Sequence, residues 1–145
     1  LIISHDLTQA KSEEHFLQTH STNLLLTVDT ISKAIEAYFA GQDVYDSLFA
    51  ATRLQTRLYW QDGRPVNHNP LELIRTQDLE PLYEENSNFY LFSRTSFHQS
   101  GEKRIGLKPS MFEVDKLESV DIDELHDFTL AEMLCRLKNE KLIPR

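Results

Sequence analysis

TVDTISKAIEAYFAGQDVYDSLFAATRL, residues 27–54, decides the fold class, because it passes from one hydrophobic period to another within a single stretch of chain. In its first half Val28, Ile31, Ala34, Ile35, Tyr38 and Phe39 recur at steps of three and four, which predicts a helix from Thr27 to Ala40 with one apolar stripe. Thr27 suits the N-cap, Asp29 stands in the first turn where the helix dipole favours a carboxylate, and Gly41 is a C-terminal stop. In its second half DSLFAATRL, residues 46–54, is a continuous apolar run with β-type side chains, the pattern of a buried strand. A helix followed at once by a buried strand is the unit of an α/β layered fold.

Outward from this unit the chain keeps alternating. Leu1, Ile2, Ile3 and Leu7 have the spacing of a short helix or its tail, residues 10–15 read as a loop, and HFLQTHSTN (15–23) reads as a strand delivering a polar loop. Downstream, LYWQDGRPVNH (58–68) has Asp62-Gly63 between extended stretches, a favoured hairpin turn pair. Pro65, Pro70 and Pro81 then punctuate a region expected to be irregular, LIRTQDLEPLYEEN included. NFYLFS (88–93) is the most strand-like segment of all; a short connection with Gly101 and Gly106 around RIG follows, then a candidate strand from Met111 to Val114. A long helix is expected from near Glu124, with Leu125, Phe128, Leu130, Ala131, Leu134, Cys135 and Leu137 on a buried side and Lys138, Lys141 and Arg145 at its C-terminal end. The hairpin makes the sheet mixed rather than purely parallel, and with roughly four strands and two long helices the architecture is that of part of a layered fold.

Composition narrows the function. At 145 residues the chain is one domain's length, residues 1–145, long enough for one core. Its net charge of −8 argues against nucleic acid, whose phosphates demand clustered Lys and Arg, but leaves room for a small anion in a locally basic pocket. No apolar run approaches the ~18 residues of a membrane span, and the N-terminus has no basic region before its apolar residues, unlike a signal peptide. A cytoplasmic location is the default. One cysteine, Cys135, excludes an internal disulfide, and its Leu-rich surroundings point to a buried thiol acting as a small hydrophobe.

Three clusters can carry chemistry. In SVDIDELHDF, Asp121 and Asp123 are one residue apart, so on extended chain both carboxylates point to one face, where a cation relieves their repulsion. Oxygen ligands of this kind suit magnesium, and the helix that follows adds positive potential; the competing reading makes Asp123 that helix's N-cap. RTQDLEPLYEENSNFYLF offers Arg75, Gln77, Tyr83, Glu85 and Asn86, a mixture suited to a polyhydroxylated ligand bearing a carboxylate, against the alternative of a solvated loop beside a core strand. LQTHST (17–22) sets Gln18 and His20 at the end of a strand, where open α/β sheets bind ligands. A hydrogen-bonded loop histidine is the stronger reading of His20, no two histidines have helical zinc spacing, and Ser21 lacks a G-x-S-x-G elbow.

Taken in order, LQTHSTNLLLTVDTISKAIEAYF, DSLFAATRLQTRLYW, RTQDLEPLYEENSNFYLF, RIG and ESVDIDELHDFTLAEML resemble the acylneuraminate cytidylyltransferase family from about His15 to Leu134. The R-x-Q-D-L…P…Y-x-E-N and S-x-D-I-D segments are the most specific. The resemblance implies a Rossmann-like nucleotidyltransferase fold and a homodimer, acting on CTP and a sialic-acid-like or other nonulosonic 2-keto-3-deoxy sugar acid. It implies that the anomeric hydroxyl attacks the α-phosphate of CTP and releases pyrophosphate. It also implies that Asp121 and Asp123 hold Mg2+, that Gln18 contacts sugar, and that Arg75, Gln77, Tyr83, Glu85 and Asn86 lie near the sugar pocket and dimer interface. Phe89 and Tyr90 continue the last segment, as packing or as ligand contacts.

Departures from the pattern are informative too. The family's N-terminal A-x-x-P-A-R-G-G-S-K-like loop, which cradles the CTP phosphates, has no counterpart in these residues, and the chain has only four glycines. The resemblance therefore covers the C-terminal portion of such a domain, expected to be inactive without that segment and to lack the sheet's first strand. Leu24 stands where a proline is usual, and Ser87 replaces the commoner glycine after E-N, although serine tolerates positive φ poorly. Residues near Arg104 vary among subfamilies, so the sugar acid is left open. Two alternatives stand beside the enzyme: a truncated paralogue acting as a dimerising sugar-binding or assembly module, and a nucleotide-sugar transferase using the D-x-D for metal with other substrates.

Overall fold

A computed structural model describes residues 2–143; Leu1 and Arg145, expected at the two helical ends, lie outside the described residues. The chain folds as α1 (Ile2–Gln9), β1 (His15–Thr19), α2 (Val28–Ala40), β2 (Ser47–Leu54), β3 (Leu82–Ser93), α3 (Arg94–Gln99), β4 (Pro109–Glu113) and α4 (Leu125–Asn139). The sheet order is β1-β3-β2-β4. β3 is antiparallel to both β1 and β2, while β4 lies parallel to β2, so β1, β2 and β4 run one way with β3 against them. The result is a mixed α/β fold with an open sheet, a partial Rossmann-like architecture.

Alternation along the strands explains the layers. Leu48, Ala50, Phe89 and Leu91 project to one face, where Ala34 and Tyr38 of α2 cover them together with Val114. Tyr90 and Phe92 project to the other, where Leu7 of α1 and Phe97 of α3 close over them, with Phe16, Phe49 and Ile105 at the margin. The α2 helix starts as its sequence predicts: the Thr27 side chain accepts Thr30 N–H, and Gly41 N–H closes the C-terminus on Ala37 and Tyr38 carbonyls. Its stripe is narrower than expected. Ala34 and Tyr38 are buried but Val28 and Phe39, near the helix ends, are exposed.

Four further expectations are corrected. β3 begins at Leu82, inside the segment expected to be irregular, because Leu82–Glu85 pair with Ala51–Leu54 while their polar side chains meet solvent. α3 takes the place of a plain connection; it is too short to show periodicity, and a reciprocal Ser93–Ser96 cap starts it. The hairpin turn forms, with Gly63 at φ +83 and Trp60 N–H donating to Arg64 C=O, but among the described residues pairing stops at the Tyr59–Pro65 bridge. Beyond it, Leu58 N–H donates to the Asn67 side chain at 3.1 Å instead of to a strand partner. Finally, α4 buries only part of the side assigned to it, with Leu134, Cys135 and Leu137 half-buried. Ala131 is buried, whereas Leu125 is 83% exposed and Phe128, Leu130 and Met133 are also exposed. At about 100° per residue, Phe128 and Leu130 point in nearly opposite directions, so no neighbour can cover both. Cys135 is accordingly half-buried, not buried.

Candidate functional site

The carboxyl ends of β1, β2 and β4 share one edge of the sheet, and a bulge in β3 shapes that edge. From Phe49↔Tyr90 to Ala51↔Glu85, β2 advances two residues while β3 advances five. The surplus residues Asn86, Ser87 and Asn88 loop out and back: Asn86 Oδ1 accepts Asn88 N–H at 3.1 Å, and Ser87 takes φ +58. A serine in this left-handed region bears a strain that glycine would not, and here it is compensated locally. Ser87 Oγ lies 3.2 Å from Tyr90 Oη, and the Tyr90 hydroxyl donates a short hydrogen bond to the Glu85 carboxylate. Asn86 Nδ2 donates to Thr52 Oγ1 at 2.9 Å, tying the bulge to β2.

Tyr90 is the hub of this cluster. Register places Gln18 directly opposite it, and Gln18 Oε1 is buried without a hydrogen-bond partner among the described residues. The Arg104 guanidinium lies 3.9 Å over the Tyr90 ring and donates to His20 Nε2 at 3.2 Å. His20 thus accepts at Nε2 and carries its proton on Nδ1. Arg104 makes no ion pair among the described residues, although the protein is rich in carboxylates. A guanidinium set over a ring and without a carboxylate partner among the described residues keeps N–H donors that could meet a planar anion. Burial, then the Glu85 carboxylate, pushes the Tyr90 phenol above its usual pKa, so it stays a neutral donor.

The second cluster follows β4. Asp115 Oδ1 accepts Leu117 N–H and opens a turn whose Glu118 C=O accepts Asn88 Nδ2 at 2.9 Å. The Glu118 carboxylate accepts the backbone N–H and the hydroxyl of Thr27, both at 3.1 Å, at the head of α2. This turn delivers Asp121 and Asp123. Asp121 is half-buried and its Oδ1 accepts Ile122 N–H; Asp123 is exposed. Asp123 is not the N-cap of α4: Glu124 is, in a capping box with Asp127, whose carboxyl is held below the usual range by the Glu124 N–H. Both Asp123 oxygens and one of Asp121 accept no hydrogen bond among the described residues. Carboxylate oxygens are the ligand type that magnesium takes, one or two at a time, with water and phosphate oxygens filling its shell; among the described residues no group of three or more acidic, His or Cys side chains could hold a metal.

Of the candidate residues, Gln18, Glu85 and Asn86 therefore meet around Tyr90, and Asp121 with Asp123 stand on the neighbouring turn. Arg75, Gln77 and Tyr83 do not join them. Arg75 is paired with Asp78 at 2.7 Å on an exposed arm, Gln77 sits in a 3-10 turn, Thr76–Asp78, and Tyr83 is at the far end of β3. Their partners on β2, Arg53 and Phe49, are four residues apart, which at about 3.3 Å per residue puts Tyr83 roughly 13 Å from Tyr90. Arg104 and Tyr90 are the residues of this cluster that sequence reasoning undervalued. Arg104 carried a faint signal in R-I-G, but only the fold shows it without an ion-pair partner among the described residues.

No protein-family model matches the chain. It is similar to a flagellin-modifying protein. That relative, post-translational flagellin modification protein B of Campylobacter coli, is 26% identical over 141 residues, which cover 89% of this chain and 59% of the relative. The chain thus spans about three-fifths of the length of the curated relative it matches.

Proposed function

We propose that the protein serves a cytidylyltransferase that couples CMP, from CTP, to a sialic-acid-like 2-keto-3-deoxy sugar acid with release of pyrophosphate. The observation that carries this reading is Arg104 set over the Tyr90 ring, with the Gln18 side-chain oxygen, unpartnered among the described residues, opposite Tyr90 in the sheet. The sugar's carboxylate meets the guanidinium through paired hydrogen bonds, and Gln18 meets a hydroxyl or the acyl group. Holding the sugar by these fixed points directs its anomeric hydroxyl at the α-phosphorus; the new P–O bond forms as the bond to pyrophosphate breaks, and the hydroxyl proton leaves to solvent or phosphate. Asp121 and Asp123 would hold Mg2+, which when bound neutralises phosphate charge and lowers the pKa of the attacking hydroxyl.

The relative's name supports the reading. Modifying a protein after translation consumes an activated group, and a CMP-linked sugar acid is one. In this reading Arg75, Gln77 and Tyr83, too distant for their own protomer's pocket, reach that of the partner in a homodimer. Work on CTP places the protein in the cytoplasm; no helix among the described residues is long and apolar enough to cross a membrane.

The test is pyrophosphate release from CTP, magnesium and a sugar acid by the full-length encoded polypeptide. Asp121→Asn and Asp123→Asn are expected to abolish release at ordinary magnesium levels with an unchanged circular dichroism spectrum. Normal turnover by both variants removes the metal role.

A further inference from the structure

Arg104 sits in an irregular link, residues 100–108, between α3 and β4, yet its side chain is set on one ring and one histidine. A long side chain on a free loop would spread over many rotamers, so something must fix the link. On the Arg104 side nearest α3, the Ser100 hydroxyl donates to Lys103 C=O at 2.9 Å. On the other side the fixing group comes from a distant part of the chain. Asp46, just before β2, accepts Leu107 N–H at 2.8 Å and Lys108 N–H at 3.0 Å on Oδ2. Its own N–H donates to Lys108 C=O at 3.0 Å. Ser47, 1% exposed, donates from Oγ to Asp46 Oδ1 at 3.0 Å and accepts Gly106 N–H at 2.8 Å. Three consecutive N–H groups, 106 to 108, are thereby gripped by two side chains. Gly106 permits the grip, since a Cβ there would overlap the Asp46 carboxylate.

We propose that Asp46, through Ser47 and the backbone of 106–108, is the positioning residue that holds Arg104 on Tyr90 for anion binding. The anion-binding part rests on the proposed function; the positioning part does not. Asp46 acts as a hydrogen-bond acceptor rather than as a charge. Asn can therefore replace it: its amide oxygen takes the Leu107 and Lys108 N–H groups while its NH2 faces the Ser47 hydroxyl. Ala cannot.

The experiment is nitrogen-15 NMR of the 145-residue chain, reading the Arg104 Nε–H resonance, with a titration of N-acetylneuraminic acid in each sample. In the wild type that resonance is displaced upfield by the Tyr90 ring. Asp46→Ala and Gly106→Ala are expected to return it to the value of a free arginine while amide dispersion elsewhere persists, and Asp46→Asn to keep it displaced. N-acetylneuraminic acid binding should weaken about tenfold in the first two variants, the scale of one charge-assisted hydrogen bond, and recover in the third. An Asp46→Ala protein that keeps the displaced resonance overturns the proposal; should that variant fail to fold, the same result in Gly106→Ala does so. Resonances that behave as expected in a wild type indifferent to N-acetylneuraminic acid leave the positioning role standing and count against the sugar-acid reading instead.

Discussion

Replacing Tyr38 by Phe separates two effects that a single stability value would merge. Tyr38, on the sheet-facing side of α2, is 4% exposed, and its hydroxyl lies 3.0 Å from His15 Nδ1. Burial, helped by the Glu14 and Asp46 carboxylates and opposed by a hydrogen bond from Gln42, pushes its phenol up to about 12. In the unfolded chain a tyrosine titrates near 10. Between those values the unfolded chain releases its proton and the folded protein does not. The stability this group contributes is therefore complete below about pH 10 and is lost as pH rises toward 12. Two pKa units correspond to about 2–3 kcal/mol. Tyr38→Phe sacrifices the bond to His15, costing about 0.5–1.5 kcal/mol at neutral pH, but it carries no titrating group. Urea unfolding followed by circular dichroism from pH 8 to 12 should show the wild type more stable at first, with the two curves meeting near pH 11, where about half of the titration term is gone. Tyr90 is also raised, but it is present in both proteins and cancels in the difference. A constant gap between the curves across the whole range would refute the reasoning, because it would mean that Tyr38 titrates alike in both states.

Two further substitutions test the packing that positions the site. Phe97 is 1% exposed and stacks on Phe92 at 5.6 Å, so Phe97→Ala should cost about 3–5 kcal/mol in urea unfolding; a loss below 1 kcal/mol would show that α3 contributes little to the core. Thr27→Val removes the cap on Thr30 N–H and the hydroxyl bond to Glu118, and should cost about 1–2 kcal/mol. The loss should persist in high salt, since the missing bonds are short-range contacts of an uncharged hydroxyl; a loss that salt abolishes would point to simple charge repulsion around Glu118.

What was legible in the sequence was whatever depends on neighbours in the chain. Thr27, Gly41 and the period of 27–40 define α2 because caps and stripes are local, and the apolar run after Asp46 defines β2 for the same reason. The polar half of β3 was not legible: Tyr83, Glu84 and Glu85 look like loop residues until β2 supplies the partner that makes them strand. α4 misled because apolar residues at helical spacing imply a buried side only when they share a direction, and Phe128 and Leu130 do not. At the site, Ser87 stood out only as a departure from the glycine that the resemblance expects; the bulge it occupies depends on pairing with β2 and was not legible. Arg104, by contrast, is defined by what does not pair with it, and Asp46 by a loop sixty residues away; neither property is written in a local pattern.

The most direct test of the account is pyrophosphate release by the full-length encoded polypeptide, supplied with CTP, magnesium and a panel of sialic, legionaminic, pseudaminic and ketodeoxyoctonic acids, with Arg104→Ala measured alongside. The account predicts release with at least one of these acids, and in Arg104→Ala a loss borne chiefly by the KM for that acid, with the KM for CTP unchanged. Binding of a sugar acid with no pyrophosphate from any combination would contradict the enzyme and leave a sugar-binding module.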